Sequence, residues 1–168
     1  LPNLPAHLST VKSSAIRKAW EGIKYVRSNR TILGILLITI VMNVLVFPYL
    51  TLLPVFARGI LHQGPMGLGL LGTASGIGAF IGLLLVNHFR NRANNRWLFS
   101  VGSVVQSAFL VAFALSTSFS LSLGLLALAG IGQGCFVALQ SSVVLLAASD
   151  EMRDRAMGAL ILAIGTGP

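Results

Sequence analysis

The chain contains three long segments without a single charged residue. They cover residues 31–57, 59–89 and 97–149 and are 27, 31 and 53 residues long. Because a helix needs about 20 apolar residues to cross the hydrocarbon core, the first two segments predict one crossing each and the third predicts two. The polar cluster Ser116–Ser120 marks the break within the third segment. A further apolar segment begins at Ala156 and is too short to cross before Pro168.

These segments predict an all-α fold, a polytopic transmembrane helix bundle with four complete spans and part of a fifth. The predicted spans are 32–57, 66–87, 97–115, 121–148 and the truncated 156–168. Hydrophobic residues make up 55% of the chain and charged residues only 10%, whereas a soluble domain carries about 25% charged residues. The composition therefore excludes a soluble enzyme, a secreted disulfide scaffold and a disordered region. We expect a fragment of a longer integral membrane protein.

The basic residues are distributed unequally between the two sides of the predicted bundle. If the spans alternate in direction, Arg58 lies alone on one side and the other eleven basic residues share the opposite side. The eleven are Lys12, Arg17, Lys18, Lys24, Arg27, Arg30, Arg90, Arg92, Arg96, Arg153 and Arg155. This bias follows the positive-inside rule, so we expect the basic loops, including the one with Asp150 and Glu151, to face the cytoplasm. The rule also explains the net charge of +8, and we expect no nucleic-acid partner.

The segment before the first span has the pattern of an amphipathic helix. Between residues 11 and 30, apolar residues recur every three to four positions and basic residues lie between them. This pattern is typical of a helix that lies in the membrane interface. We therefore predict a linker over residues 1–10 and a cytoplasmic interfacial helix over residues 11–30, followed by the transmembrane region 31–168.

Glycine and proline are the informative residues inside the spans. The second span holds two pairs at a spacing of four, Gly72/Gly76 and Gly78/Gly82, and the fourth span repeats the spacing at Gly130/Gly134. Such pairs let neighbouring helices approach closely, so we predict helix-packing faces. A GxGxxG pattern begins at Gly67, but it lacks the strand and the acidic residue of a nucleotide site. In the first span, Pro48 and Pro54 predict kinks, which fit a moving gate and a static bend equally well.

Three amide side chains lie at membrane depth in the predicted spans. Asn43 lies near the middle of the first span and Gln133 near the middle of the fourth, and Gln140 shares the helix face of Gln133. Because an unpartnered amide in lipid is costly, these side chains are expected to face either a water-filled substrate cavity or other helices. Gln106 in the third span favours the second role, a hydrogen bond between helices.

No catalytic or metal-binding pattern is present in the sequence. The spans contain no Asp, Glu, Lys or Arg, and no HExxH, CxxC or phosphate-binding loop occurs. We therefore expect a protein that is not an enzyme, with no cofactor and no metal.

Several segments resemble the second half of a Major Facilitator Superfamily transporter, and in particular the enterobactin-exporter-like branch of bacterial exporters. They are Glu21–Arg30 (EGIKYVRSNR), Phe47–Arg58 (FPYLTLLPVFAR), Gly67–Leu71 (GLGLL) and Ser149–Gly158 (SDEMRDRAMG). The basic loop His88–Arg96 takes the place of the family's repeated loop motif and lacks its aspartate.

The resemblance implies helices seven to eleven of twelve and alternating access between two six-helix halves. It implies that the first and fourth spans line the substrate cavity and that the third faces lipid. It also implies proton-coupled export of small drug- or siderophore-like molecules from a bacterial cytoplasmic membrane, with the proton site in the missing N-terminal half of the chain. The expected partners are that half, the lipid bilayer and a small-molecule substrate.

A second interpretation is open at this point. A small membrane scaffold or assembly subunit that transports nothing would use the same amphipathic leader and the same glycine faces.

Overall fold

The first predicted span forms one long, interrupted helix. The computed structural model describes residues 27–46, 48–89 and 94–165, so the linker, the predicted interfacial helix up to residue 26, and Arg90 and Arg92 lie outside the described residues. The span consists of α1 (Arg30–Val41), a π-helical segment (Met42–Val46) and α2 (Tyr49–Gly59). The Asn29 side chain caps α1 by accepting hydrogen bonds from the backbone N–H groups of residues 31 and 32.

Proline explains the interruption of this span. Pro48 has no N–H to donate to the carbonyl four residues earlier, and it stands between the π-helical segment and α2. Pro54 lies inside α2, where it removes a second hydrogen bond. The π-helical segment ends before Pro48 and α2 continues through Pro54, and the bends predicted at the two prolines stay predictions.

The remaining spans are continuous helices. They are α3 (Pro65–Phe89), α4 (Asn95–Ala114) and α5 (Phe119–Ala147). Asn94 caps α4 by accepting from the backbone N–H of Arg96, and Pro65 opens α3 at the position where proline is best tolerated. A short 3₁₀ turn (Asp150–Met152) leads into α6 (Arg153–Ile164), which begins three residues before the predicted fifth span. Four of the described helical segments are long and apolar enough to cross a membrane.

Contacts between spans fix their relative directions. Asn29 donates to the carbonyl of Ala147, and ten residues later Thr39 accepts from Gln140, so α1 and α5 are antiparallel. On α3, Gly78 faces the backbone of Ala127 and Gly82 faces Ile131, so α3 and α5 run parallel. Gly102 on α4 faces Cys135 on α5. Further along α4, Gln106 faces Gly132, which is earlier in α5, so α4 and α5 are antiparallel.

These directions sort the charged residues to the ends of the bundle. The start of α1, the end of α3, the start of α4 and the end of α5 all lie at one end. Among the described residues, that end holds Arg27, Arg30, Arg96, Arg153 and Arg155, and Arg58 lies at the other. The alternation assumed in the charge count is therefore present in the fold.

The helix α5 is the centre of the bundle. It packs along α3 and α4 over most of its length and also contacts α1 and α6. Two apolar clusters result: one near the basic end, with Phe99 and Phe136 stacked 5.3 Å apart, and one near the opposite end, with Leu71 and Leu126 fully buried. Large apolar side chains on the outer faces are exposed, as expected for helices that meet lipid.

Candidate functional site

The closest contact between spans joins α3 and α5 through glycine. A Cβ atom at Gly78 would collide with the carbonyl of Ala127, and one at Gly82 with the carbonyl of Ile131. In the other direction, a Cβ atom at Gly130 would collide with the carbonyl of Ser75, and one at Gly134 with that of Ala79. The two backbones therefore touch along about two turns, which only glycine permits.

The other glycine pair of the second span does not contribute to this contact. No heavy atom of the described residues lies within 4 Å of a Cβ atom built at Gly72 or Gly76, and both residues are exposed. The assignment of Gly72 and Gly76 to a helix-packing face stays a prediction, and no helix of the described bundle covers them. The physical reason is the helical period, because six residues from Gly72 to Gly78 rotate the helix by about 240°.

A second glycine contact, between α4 and α5, was missing from the sequence interpretation. A Cβ atom at Gly132 would lie 2.5 Å from the backbone nitrogen of Gln106 and 2.5 Å from the carbonyl oxygen of Gly102. A Cβ atom at Gly102 would lie 2.7 Å from Cys135 Cβ. Gly102 has no partner glycine four residues away, so the spacing that identified the other faces gave no signal for it.

The first and fourth spans meet through a buried polar pair. Gln140 Nε2 donates to Thr39 Oγ1 over 3.0 Å, and both residues are buried, with exposed fractions of 7% and 0%. Asn43 lies one turn further along the span and donates from Nδ2 to the carbonyl of Thr39 over 2.8 Å. The structure therefore brings two of the three predicted amides to one residue, Thr39, which the sequence interpretation did not identify.

Gln133 lies on the same side of α5 as Gln140, two turns away. It is half-buried, and its side chain forms no hydrogen bond with any described residue. Because α1 and α5 are antiparallel, Asn43 and Gln133 are displaced from the Thr39–Gln140 contact in the same direction, by about 6 Å and 10 Å along their helices. Asn43 and Gln133 are thus the partly accessible members of the polar set, and Gln140 is its buried member.

Gln106 differs from the sequence expectation. It is 1% exposed, and neither Nε2 nor Oε1 has a hydrogen-bond partner. The predicted hydrogen bond to another helix is therefore absent in this conformation, although the side chain lies in the contact between α4 and α5.

The outer half of the first span has its own set of partners. Tyr49, the first residue of α2, shares a hydrogen bond between its hydroxyl and Ser75 Oγ of α3 over 3.3 Å. Phe56 packs against Phe113 of α4, with ring centroids 4.6 Å apart. The two halves of the span, separated at Pro48, therefore pack against different neighbours, because α1 contacts α5 and α6.

A groove of about 790 Å³ opens between α1 and α4. Its walls are apolar apart from serine hydroxyls, and Ser107 donates to Met42 Sδ over 3.6 Å at its floor. None of Asn43, Gln133 and Gln140 lines this groove. It is separate from the polar residues between the first and fourth spans.

The loop residues at the basic end make local contacts. Arg153 pairs with Asp150 over 2.8 Å, and Arg155 donates to Met152 Sδ over 3.6 Å, while Glu151 is exposed. Within the described ranges, no three histidine, cysteine or acidic side chains come together in a way that would hold a metal ion.

Comparison with known proteins gives one match. The family model of the Major Facilitator Superfamily matches residues 2–168, nearly the whole chain. No curated protein and no solved structure matches the chain. Members of this family are transporters rather than enzymes, and the match does not favour a scaffold subunit. The family match and the four apolar helices of spanning length agree: the chain belongs to the Major Facilitator Superfamily, a family of transporters, and is a multi-pass membrane protein.

Proposed function

We propose that this protein exports small, mostly apolar molecules of the drug or siderophore type by alternating access. In this proposal the described helices are helices seven to eleven of twelve, and the basic loops face the cytoplasm of a bacterial cell. The other half of the transporter, in the N-terminal part of the protein, completes the substrate cavity.

The uncharged polar set between the first and fourth spans is the observation that supports this proposal. Asn43 and Gln133 are partly accessible and lie near the Thr39–Gln140 contact, and no charged side chain lies in the described spans between Thr31 and Ala57 or between Trp97 and Ala148. A site with a few amide donors and acceptors among apolar walls suits ligands with few polar groups and no fixed charge.

Proton coupling is the expected energy source for this export. The described spans contain no carboxylate, so the proton site would lie in the N-terminal half. This half of the bundle would supply substrate contacts, and the other half would supply the group that binds and releases a proton.

Cysteine accessibility tests the cavity. Single cysteines replace Asn43, Gln133 and Gln140 in the complete protein with Cys135→Ala, and a membrane-impermeant methanethiosulfonate is applied to membranes. We expect modification at 43 and 133 and slow modification at 140, which is buried. Leu110, on the third span and outside the groove between α1 and α4, is the control for a lipid-facing position and should remain unmodified. Equal, negligible reactivity at 43, 133 and 110 would contradict the cavity.

Transport itself is measured in inverted vesicles. A panel of fluorescent apolar dyes and iron-chelating catecholates is offered with and without an imposed pH gradient. We expect gradient-dependent accumulation of at least one compound, and the same compound should protect position 133 from modification. Accumulation that ignores the pH gradient would refute proton coupling, and no accumulation of any compound would refute export of this substrate class.

A further inference from the structure

Gln106 differs from the other buried polar residues, and the other unpartnered buried polar atom of the described residues, Asn95 Oδ1, belongs to a half-buried residue. Among the described residues, Thr39, Ser75, Ser103, Ser116, Ser122 and Gln140 are buried and each has a hydrogen-bond partner. Gln106 is as deeply buried, yet its amide nitrogen and its amide oxygen are both unpartnered. An unpartnered buried polar group disfavours the conformation that contains it. The presence of glutamine here therefore points to a partner in another conformation.

Residues on its own helix do not supply that partner. The amide oxygen of Gln106 needs a donor. Ser103 donates its hydroxyl proton to the carbonyl of Phe99 over 2.9 Å, and the hydroxyl of Ser107 lies within hydrogen-bond distance of the Ser103 carbonyl and of Met42 Sδ. The partner must therefore come from a neighbouring span.

The fourth span offers one suitable side chain. The backbone of Gly132 lies directly against Gln106, since a Cβ atom at Gly132 would be 2.9 Å from Gln106 Cα. Gln133 follows Gly132 in the chain, is half-buried, and donates neither of its amide N–H groups to a described residue. Because Gly132 has no side chain, the helix backbone that carries Gln133 touches the helix backbone that carries Gln106.

We propose that Gln106 is the alternative hydrogen-bond partner of Gln133. Each side-chain amide both donates and accepts, so the two can satisfy each other when their side chains turn together. In the described conformation the bond is open and Gln133 is available to the cavity. In the second conformation Gln133 is withdrawn from the cavity by the third span.

This inference rests on the proposed function for the role of Gln133 in substrate binding. Its consequence is competition, because Gln106 and a substrate use the same amide. Removal of Gln106 therefore frees Gln133 for substrate. The apparent KM should fall about two- to tenfold, the equilibrium factor of one net hydrogen bond.

Cross-linking tests the proximity without any substrate. Cysteines replace Gln106 and Gln133 in the complete protein with Cys135→Ala, and membranes are oxidised with copper phenanthroline. We expect a disulfide to form when the two side chains turn towards each other, because Gln133 is the chain neighbour of Gly132, whose backbone touches that of Gln106. The matched control is Gln106→Cys with Gln140→Cys, two turns further along α5, which should form far less. Equal yields for the two pairs would overturn the inference.

A double-mutant cycle then tests the pairing of the amides. Gln106→Leu, Gln133→Leu and the double variant are compared for the apparent KM of the dye that the vesicle assay identifies. We expect Gln106→Leu to lower KM in the parent and to leave it unchanged in the Gln133→Leu background. If Gln106 had only a structural role, Gln106→Leu would change the apparent KM by the same factor in both backgrounds. That result would overturn the inference.

The two tests separate this inference from the proposed function. If no dye is transported, the proposed function fails, and the cross-linking yield decides the pairing. If transport occurs and the cycle is additive, the pairing fails and the proposed function stands.

Discussion

The Gly78 contact gives the sharpest quantitative test of the fold. In Gly78→Ala the added methyl group would collide with the carbonyl of Ala127 and lie 2.8 Å from its carbon and 3.1 Å from Gly130 Cα. All three atoms are backbone, so they cannot turn away, and α3 must move off α5. Overpacking of this kind costs about 1–3 kcal/mol.

Gly76→Ala is the matched control, because Gly76 lies two residues away on the same helix. A Cβ atom there meets no heavy atom within 4 Å. Replacing glycine by alanine within a helix stabilises it by about 0.5–1 kcal/mol in both variants. Because this stabilisation of the helix is the same in both variants, their free energies of unfolding should differ by the overpacking cost of about 1–3 kcal/mol. The free energy of unfolding of Gly76→Ala should equal or exceed that of the parent protein.

The assay is reversible unfolding of the purified complete protein in mixed micelles, followed by tryptophan fluorescence as denaturing detergent is added. Gly82→Ala should behave like Gly78→Ala, since its methyl group would collide with the carbonyl of Ile131. Equal unfolding free energies for Gly76→Ala and Gly78→Ala would show that the glycine contact does not exist as described.

Three further outcomes follow from single contacts. Gln140→Leu should lower the free energy of unfolding by about 0.5–1.5 kcal/mol, because Thr39 loses its partner, and the same assay measures it. Cys135, which is buried and donates to the carbonyl of Gly82, should resist maleimide in folded protein and react fully after denaturation; rapid labelling of the folded state would contradict its burial. Pro54→Ala should restore the missing hydrogen bond within α2 and raise stability. Uptake into vesicles then distinguishes the two roles of Pro54: unchanged transport indicates a static bend, and reduced transport indicates a moving gate.

The described helices lie close to the positions expected from the sequence, because each depends on a local property. Long uncharged segments and the polar break at 116–120 placed all four helices within a few residues of their observed ends. The fifth helix begins at Arg153 rather than Ala156, because charged residues are compatible with a helix start at the membrane surface. The positions of charged and polar residues therefore sufficed for the described helices and their order.

Which faces meet is a property of the assembled bundle, and there the sequence was ambiguous. Gly72/Gly76 and Gly78/Gly82 have the same spacing but point in different directions, and one neighbouring helix covers only one pair. The spacing alone does not reveal which pair is covered. The choice depends on the position of α5, whose own glycines lie some fifty residues later.

The polar residues show the same limit. Gln140 and Gln106 are the same residue type at membrane depth, yet one is bonded to Thr39 and the other has no partner. The difference depends on what the neighbouring helix presents: a threonine opposite Gln140 and a glycine opposite Gln106. Neither pairing is encoded within a single span.

The glycine face of the second span also has a consequence for synthesis. Its partner, the face around Gly130 on the fourth span, leaves the ribosome about fifty residues after Gly82. At about 5–20 residues per second, that delay is roughly 2–10 s. During this interval the contact face of the second span lacks its final partner, and the third span is the next helix of the chain to be made. Substitutions that attract the third span to this face would therefore act on the order of assembly during translation, even where the finished bundle tolerates them.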